Sequence, residues 1–190
     1  MIKIYTDGSS TKNRSGWGYV AVMPNRTCNL FYGSEPNATN QQMELLAVYY
    51  GLDYWYNNFS ETDDVTIYSD SAYVLNCYFE KWYQNWEDNG WYNTRGEPVA
   101  NKELWEKLLP YFKMPNVLFQ KVKGHSGNIY NDLADKLACG AYKGPMSINL
   151  TNEKINDTIN IKLSELLVEF KMNKLTINDT IDKIIGVFNG

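Results

Sequence analysis

The chain is short of the residues that staple a fold or hold a soft metal. It has three cysteines, far apart at Cys28, Cys77 and Cys139, and one histidine, His125, in 190 residues. There is no CxxC pair, which argues against a disulfide framework and against a structural zinc site. No apolar run reaches the ~20 residues that a membrane-spanning helix needs. The opening Met1-Ile2-Lys3-Ile4-Tyr5-Thr6-Asp7-Gly8 meets acidic and turn residues too early for a signal peptide. A cytoplasmic, reducing setting is therefore expected. An excess of positive charge is missing too. Lysine and arginine number 18 against 22 acids, a net of −4, which excludes a strongly basic nucleic-acid coat but leaves room for a local patch. What is abundant is apolar and aromatic matter. Hydrophobic residues make up 44%, enough for a sizeable core in one domain of ordinary size.

Three short β-prone runs come first, at residues 2–6, 19–23 and 28–32, separated by turn residues. They read as an antiparallel meander. From Asn40 to Tyr56 the apolar residues change to helical spacing. A short strand over Val65 to Tyr68 follows, then a helix over Ser71 to Trp86, a loop over 91–100 and a helix over Lys102 to Tyr111 closed by Pro110. A fifth strand over Val117 to Val122 leads through a glycine loop to a helix over Asn131 to Tyr142. The order βββαβααβα implies an α/β fold with one five-stranded mixed sheet flanked by helices. Gly144-Pro145 reads as a domain end, giving a domain over 1–146 and a C-terminal extension over 147–190. The extension opens with a polar linker to residue 157. It continues with two amphipathic helices, one marked by Leu163, Leu166, Leu167 and Phe170, the other by Ile177, Ile181, Ile184 and Phe188.

Four acids share a pattern. Asp7 and Asp70 each sit at the expected end of a strand, Glu44 lies in the first turns of the long helix, and Asp135 lies in the last helix. Ligand sites in open α/β sheets form outside the carboxyl ends of neighbouring strands. Asp135 falls about 200° around its helix from Leu133, away from the expected core side, and shares a face with Asn131. Clustered hard oxygen donors suit Mg²⁺ or Mn²⁺. Such a cluster can hold two ions ~3.5–4 Å apart, the arrangement that serves phosphoryl transfer. His125 stands on a loop between Gly124 and Gly127, a placement that fits a proton carrier.

These residues resemble a known family. The stretches Ile4-Tyr5-Thr6-Asp7-Gly8-Ser9, Gly16-Trp17-Gly18-Tyr19, Met43-Glu44-Leu45-Leu46-Ala47, Tyr68-Ser69-Asp70-Ser71 and the run from Val122 to Ala138 are similar to type 1 ribonucleases H of the single-domain kind. The Lys-Gly-His-x-Gly loop, with Asn131 and Asp135 behind it, is the most specific. The resemblance covers residues 1–143. It implies an endonuclease that cuts the RNA strand of RNA/DNA hybrids, leaving 5′-phosphate and 3′-hydroxyl ends. It also implies that Asp7, Glu44, Asp70 and Asp135 bind two metal ions and that His125 assists product departure. Counting from His125 favours Asp135 over its neighbour Asp132. The hybrid contacts implied are Gly8, Ser9, Ser10, Asn40 and Gln41 in the shallow groove, with Ser71, Trp82, Lys123 and Asn131 beside them. A monomer is expected, with the C-terminal helices docking on the domain or on a protein partner.

The chain departs from the family at Ala72, where a polar residue is common, at Gln41, where Asn is frequent, and after Trp86. Where relatives carry a basic protrusion, it has Glu87-Asp88 after Trp86. Lys12, Arg14, Lys121, Lys123, Lys136 and Lys143 remain as a dispersed cationic set. Competing readings are a detached ribonuclease H subunit of a reverse-transcribing or replication assembly, a transposase or integrase on the same fold, and a non-catalytic hybrid-binding module.

Overall fold

The computed structural model describes residues 1–25, 27–124, 127–140, 146–148 and 166. The chain runs β1 (Ile2–Thr11), β2 (Arg14–Val22), β3 (Cys28–Gly33), α1 (Asn40–Asn58), β4 (Val65–Ser69), α2 (Ala72–Phe79) and α3 (Trp82–Asp88). It continues through α4 (Lys102–Phe112), β5 (Val117–Lys121), α5 (Ile129–Ala138) and β6 (Met146–Ile148). The strands form one sheet in the order β5-β4-β1-β2-β3-β6. β1 pairs antiparallel with β2 and parallel with β4, and β5 extends the parallel side. This is the expected mixed sheet with one strand more. β6 pairs antiparallel with the β3 edge through Cys28↔Ile148, so the sheet crosses the boundary expected after Met146.

Strand alternation sends side chains to two cores. Ile2, Ile4, Tyr19 and Ala21 join Leu45, Val48, Leu52 and Trp55 of α1 on one face. Tyr5, Val20, Val22 and Leu30 meet Ala134 and Leu137 of α5 on the other. Both faces are covered, which is why the central strands read as near-continuous apolar runs. α1 starts where Thr39 forms a capping box with Gln42, satisfying backbone donors that the first turn would leave open.

Three element bounds differ from the expectation. The helix over 71–86 is two helices, because Lys81 adopts a left-handed backbone at φ 52° between α2 and α3. α4 runs past Pro110 to Phe112. That proline lies within a turn of the helix end, where it costs one backbone bond, and the continued turn buries Tyr111 and Phe112. The last helix spans Ile129–Ala138 and ends at Gly140, which takes a positive φ of 63°. The linker and helices expected in 149–190 lie outside the described residues, apart from Leu166, which is helical and buried.

Candidate active site

Two registers decide where Asp7 stands. The parallel ladder with β4 stops at Thr6↔Ser69, whereas the antiparallel ladder with β2 continues through Asp7↔Gly18 to Thr11↔Arg14. Asp7 is therefore inside β1 and not at its end, yet it lies one residue beyond the last β4 pair. Asp70 also follows the last residue of that ladder. The two carboxylates meet where the parallel pairing runs out.

Three glycines bring the helices down to this point. A Cβ on Gly8 would fall 2.1 Å from the Glu44 backbone nitrogen, so the α1 backbone rests directly on β1. A Cβ on Gly18 would lie 2.5 Å from Leu137 Cβ and 2.8 Å from the Ala134 carbonyl oxygen, and one on Gly16 would lie 2.5 Å from the Ala138 carbonyl oxygen. α5 thus sits close on β2 and carries Asp135 to Asp7. Gly124 plays the same part over Asp70, where a Cβ would be 2.4 Å from Oδ2. Gly8→Ala is expected to lower stability by about 1–3 kcal/mol, the usual overpacking cost, because its obstacle is backbone. Denaturant unfolding measures it, and a cost near zero would show that α1 can lift freely.

The electrostatics follow from the crowding. Burial pushes the Asp7 carboxyl up to about 8, and the charges of Asp70 and Asp135 add to it. The Gly8 N–H donates to Asp7 Oδ1 at 2.8 Å and partly opposes the shift. A hydrogen bond with the Asp135 side chain raises Asp7 a little further. Burial raises Glu44 as well, with Asp70 adding to it. Glu44 is fixed at both oxygens: Asn40 Nδ2 donates to Oε1 at 2.8 Å, and Ser71 Oγ donates to Oε2. Among the described residues no three acidic, histidine or cysteine side chains are already closed to metal-coordination spacing. The carboxylates are electrostatically coupled but open. Mutual repulsion among hard oxygen donors is the condition that a divalent cation relieves, and the donor set fits Mg²⁺ or Mn²⁺.

The remaining expected site residues fall into distinct places. Gly8, Ser9 and Ser10 follow Asp7 along β1. Ser10 reaches the α1 entry, its N–H donating to Asn40 Oδ1 at 3.1 Å and its Oγ to the Ala38 carbonyl at 2.7 Å. Gln41 and Lys123 are exposed. Trp82 is half-buried, with its indole N–H on Glu80 Oε2 at 2.8 Å and its ring 6.3 Å from that of Trp86. Two expected hybrid contacts are buried. Ser71 is 5% exposed and serves as the N-cap of α2 while holding Glu44. Asn131 is 1% exposed, turned inward under α5 with its Oδ1 unpartnered. His125 lies outside the described residues.

Sequence reasoning missed Cys139. Its thiol donates weakly to Ser9 Oγ at 3.4 Å and to Asp135 Oδ1 at 3.5 Å. The i, i+4 spacing from Asp135 was the available signal. The acidic stretch after Trp86 is also less acidic in effect than it reads, because Glu87 pairs with Lys113 at 2.8 Å. Lys102, one of the cations near it, lies 5.4 Å above the Trp91 ring.

The ribonuclease H family model matches residues 1–143. A protein named ribonuclease H from Syntrophomonas wolfei subsp. wolfei is 41% identical over 144 residues, 75% of this chain and 96% of that protein. One of the same name from Caldicellulosiruptor saccharolyticus is 38% identical over 138 residues, 72% of this chain and 92% of that protein. Among solved structures, the PFV RNase H domain is 26% identical with a TM-score of 0.61, over 73% of this chain and 92% of that one. The fold, the acids gathered around the ends of the β1–β4 pairing and these relatives agree: the chain belongs to the ribonuclease H family, hydrolases that cleave RNA in RNA/DNA hybrids and generally depend on a divalent metal.

Proposed function

We propose that Asp7, Glu44, Asp70 and Asp135 hold two divalent cations, Mg²⁺ or Mn²⁺, and that this centre cuts the RNA strand of an RNA/DNA hybrid to leave 5′-phosphate and 3′-hydroxyl ends. The reading rests on one observation above the others. Burial, with the charges of Asp70 at a strand end and Asp135 on a helix added to it, pushes Asp7 on β1 up to about 8. That is a costly arrangement without a cation to balance it. When bound, a cation pair supplies the positive charge that favours in-line attack by water and departure of the 3′-oxygen.

The chain's own groups do the rest. Asp7 must give up its proton to become a full donor. Asn40 and Ser71 keep Glu44 oriented. The edge formed by Gly8, Ser9 and Ser10, with Asn40 and Gln41, presents groups that can read a 2′-hydroxyl, which only RNA offers. Trp82 and Lys123 extend that surface, and His125 moves a proton as product leaves. Asp135→Asn is expected to abolish cleavage nearly completely and Asp132→Asn to be mild, measured as kcat on one hybrid; the reverse ranking would reassign the acid. The greater identity to proteins named ribonuclease H, 41% against 26% for the viral domain, favours a free-standing enzyme over a detached subunit of a reverse-transcribing assembly.

Residues 1–146 with the rest of β6 are proposed as the catalytic unit, and the remainder as a docking extension. Truncation after Ile148 is expected to leave hybrid cleavage within about tenfold, since every matched stretch precedes it. An inactive but folded truncate would place the tail in the substrate cleft. The substrate reading is tested by incubating a labelled RNA/DNA hybrid with Mg²⁺ beside duplex DNA and duplex RNA. Cleavage of the hybrid alone supports it, and equal cleavage of either control overturns it.

A further inference from the structure

Beyond the end of the sheet that holds the acids, β1 and β2 continue as a two-stranded arm. The β1–β4 ladder stops at Thr6↔Ser69 and the β2–β3 ladder at Trp17↔Gly33. Among the described residues, the pairs Ser9↔Gly16, Ser10↔Ser15 and Thr11↔Arg14 therefore have no strand on either side. A bare two-stranded ribbon is only marginally stable, and strand alternation shows what supports this one. Ser10 and Ser15 face the entry to α1, where Ser10 Oγ donates to the Ala38 carbonyl at 2.7 Å and Ser15 Oγ to the Glu35 carbonyl. Ser9, Gly16 and Arg14 face the exit from α5. The Cys139 thiol meets Ser9 Oγ at 3.4 Å. A Cβ on Gly16 would lie 2.5 Å from the Ala138 carbonyl oxygen, and one on Gly140 would lie 2.3 Å from Arg14 Nη2. The guanidinium thus rests on the turn that ends α5, where the negative pole of the helix favours a cation.

We propose that Arg14 and Cys139 are positioning residues for Asp135: they latch the end of α5 to the β1–β2 arm and so fix the gap between Asp135 and Asp7 that a divalent cation enters. The proposal rests on the reading above that these acids hold cations. Asp7 and Ser9 stand on the same strand and, by alternation, on the same face of it. Asp135 stands one helical turn before Cys139, whose thiol lies 3.5 Å from Asp135 Oδ1. A single thiol therefore reaches from the strand that carries one acid to the carboxylate of the other. Without a cation the two acids repel, which drives the end of α5 away from β1. The latches oppose that motion, and Arg14 does so without occupying the gap. A donor already in place loses less freedom when its ligand arrives, so the latched protein binds a cation more tightly. Both residues fall just outside the stretches that carry the family resemblance, Arg14 between Ser9 and Gly16 and Cys139 directly after Ala138, and the resemblance assigns neither of them a role.

The test is Mn²⁺ binding to the full chain without nucleic acid, read from the paramagnetic resonance signal of the free ion, for wild type and for Arg14→Gln/Cys139→Ala. The double variant is expected to bind Mn²⁺ about tenfold more weakly, the lower end of what is lost with a residue that orients a metal ligand. Arg14→Lys/Cys139→Ser keeps a cation on the helix end and a donor beside Asp135, and it should recover most of the affinity. Unchanged Mn²⁺ affinity in a folded double variant would overturn the proposal. So would a variant that loses melting temperature equally with and without Mn²⁺ and keeps its affinity, which would leave both residues as caps for α5. Cys139→Ala alone removes no charge and decides the matter if the double variant does not fold: weaker Mn²⁺ binding supports the proposal and unchanged binding overturns it. Parallel kcat measurements in Mg²⁺ on an RNA/DNA hybrid keep the two readings apart. A wild type whose Mn²⁺ affinity depends on both residues but which cuts no hybrid contradicts the proposed cleavage alone. One that cuts while its Mn²⁺ affinity ignores them contradicts the positioning alone, and one that binds no Mn²⁺ contradicts both.

Discussion

Asp7→Asn is expected to reduce hybrid cleavage by at least about 10³-fold while leaving the protein folded and, in cation-free buffer, more stable. The loss follows from removing a donor at the meeting point of β1 and β4, where the charge stabilisation at stake is several kcal/mol and each ~1.4 kcal/mol is tenfold in rate. The gain in stability follows from what Asp7 experiences there. Its carboxyl is raised from 3.8 to about 8, by burial first and then by Asp70 and Asp135. Between those two values the folded chain holds a proton that the unfolded chain has released. Wild-type stability therefore falls as pH rises through that window. The asparagine variant lacks this titration and should show a shallower fall between pH 5 and pH 8. Thermal unfolding at several pH values measures it; parallel profiles for the two proteins would show that Asp7 does not carry the repulsion assigned to it.

Chelation is expected to have an effect as large. Removing divalent ions should stop cleavage completely, and Mg²⁺ or Mn²⁺ should restore it. The same titration should raise the melting temperature of the wild type, since a ligand that binds only the folded state stabilises it by mass action. The rise should be greatest above pH 8, where Asp7 is ionised and repulsion is strongest. Asp7→Asn should show a much smaller rise. Cleavage that persists in excess chelator would remove the cations from the mechanism. A melting temperature indifferent to Mg²⁺ in the wild type would place them elsewhere than among these acids.

The meander, the long helix and the crossover strands were legible because each carries its own local pattern: β-prone runs cut by turns, then apolar residues at helical spacing. The four acids are singled out by the stretches around them. What escaped belongs to contacts between layers. Asp7 read as a strand end, because nothing local announces that β2 holds β1 four residues further than β4 does. The break at Lys81 is a single left-handed residue inside an unbroken helical pattern. Ser71 and Asn131 carry polar side chains suited to a substrate, and only the packing around them shows that both are buried. Gly8, Gly16 and Gly18 stood in the recognised stretches, but their work is to admit helix backbone from another layer, which no one-dimensional pattern displays. Cys139 reads as one of three scattered thiols, although it lies one helical turn from Asp135.

The most direct measurement is end analysis of a hybrid labelled separately in each strand, cut by the wild-type chain in Mg²⁺ and again in chelator. The account predicts cuts in the RNA strand alone, new 5′-phosphate and 3′-hydroxyl ends, and no product in chelator. Cuts in the DNA strand, 5′-hydroxyl ends or metal-independent product would contradict it.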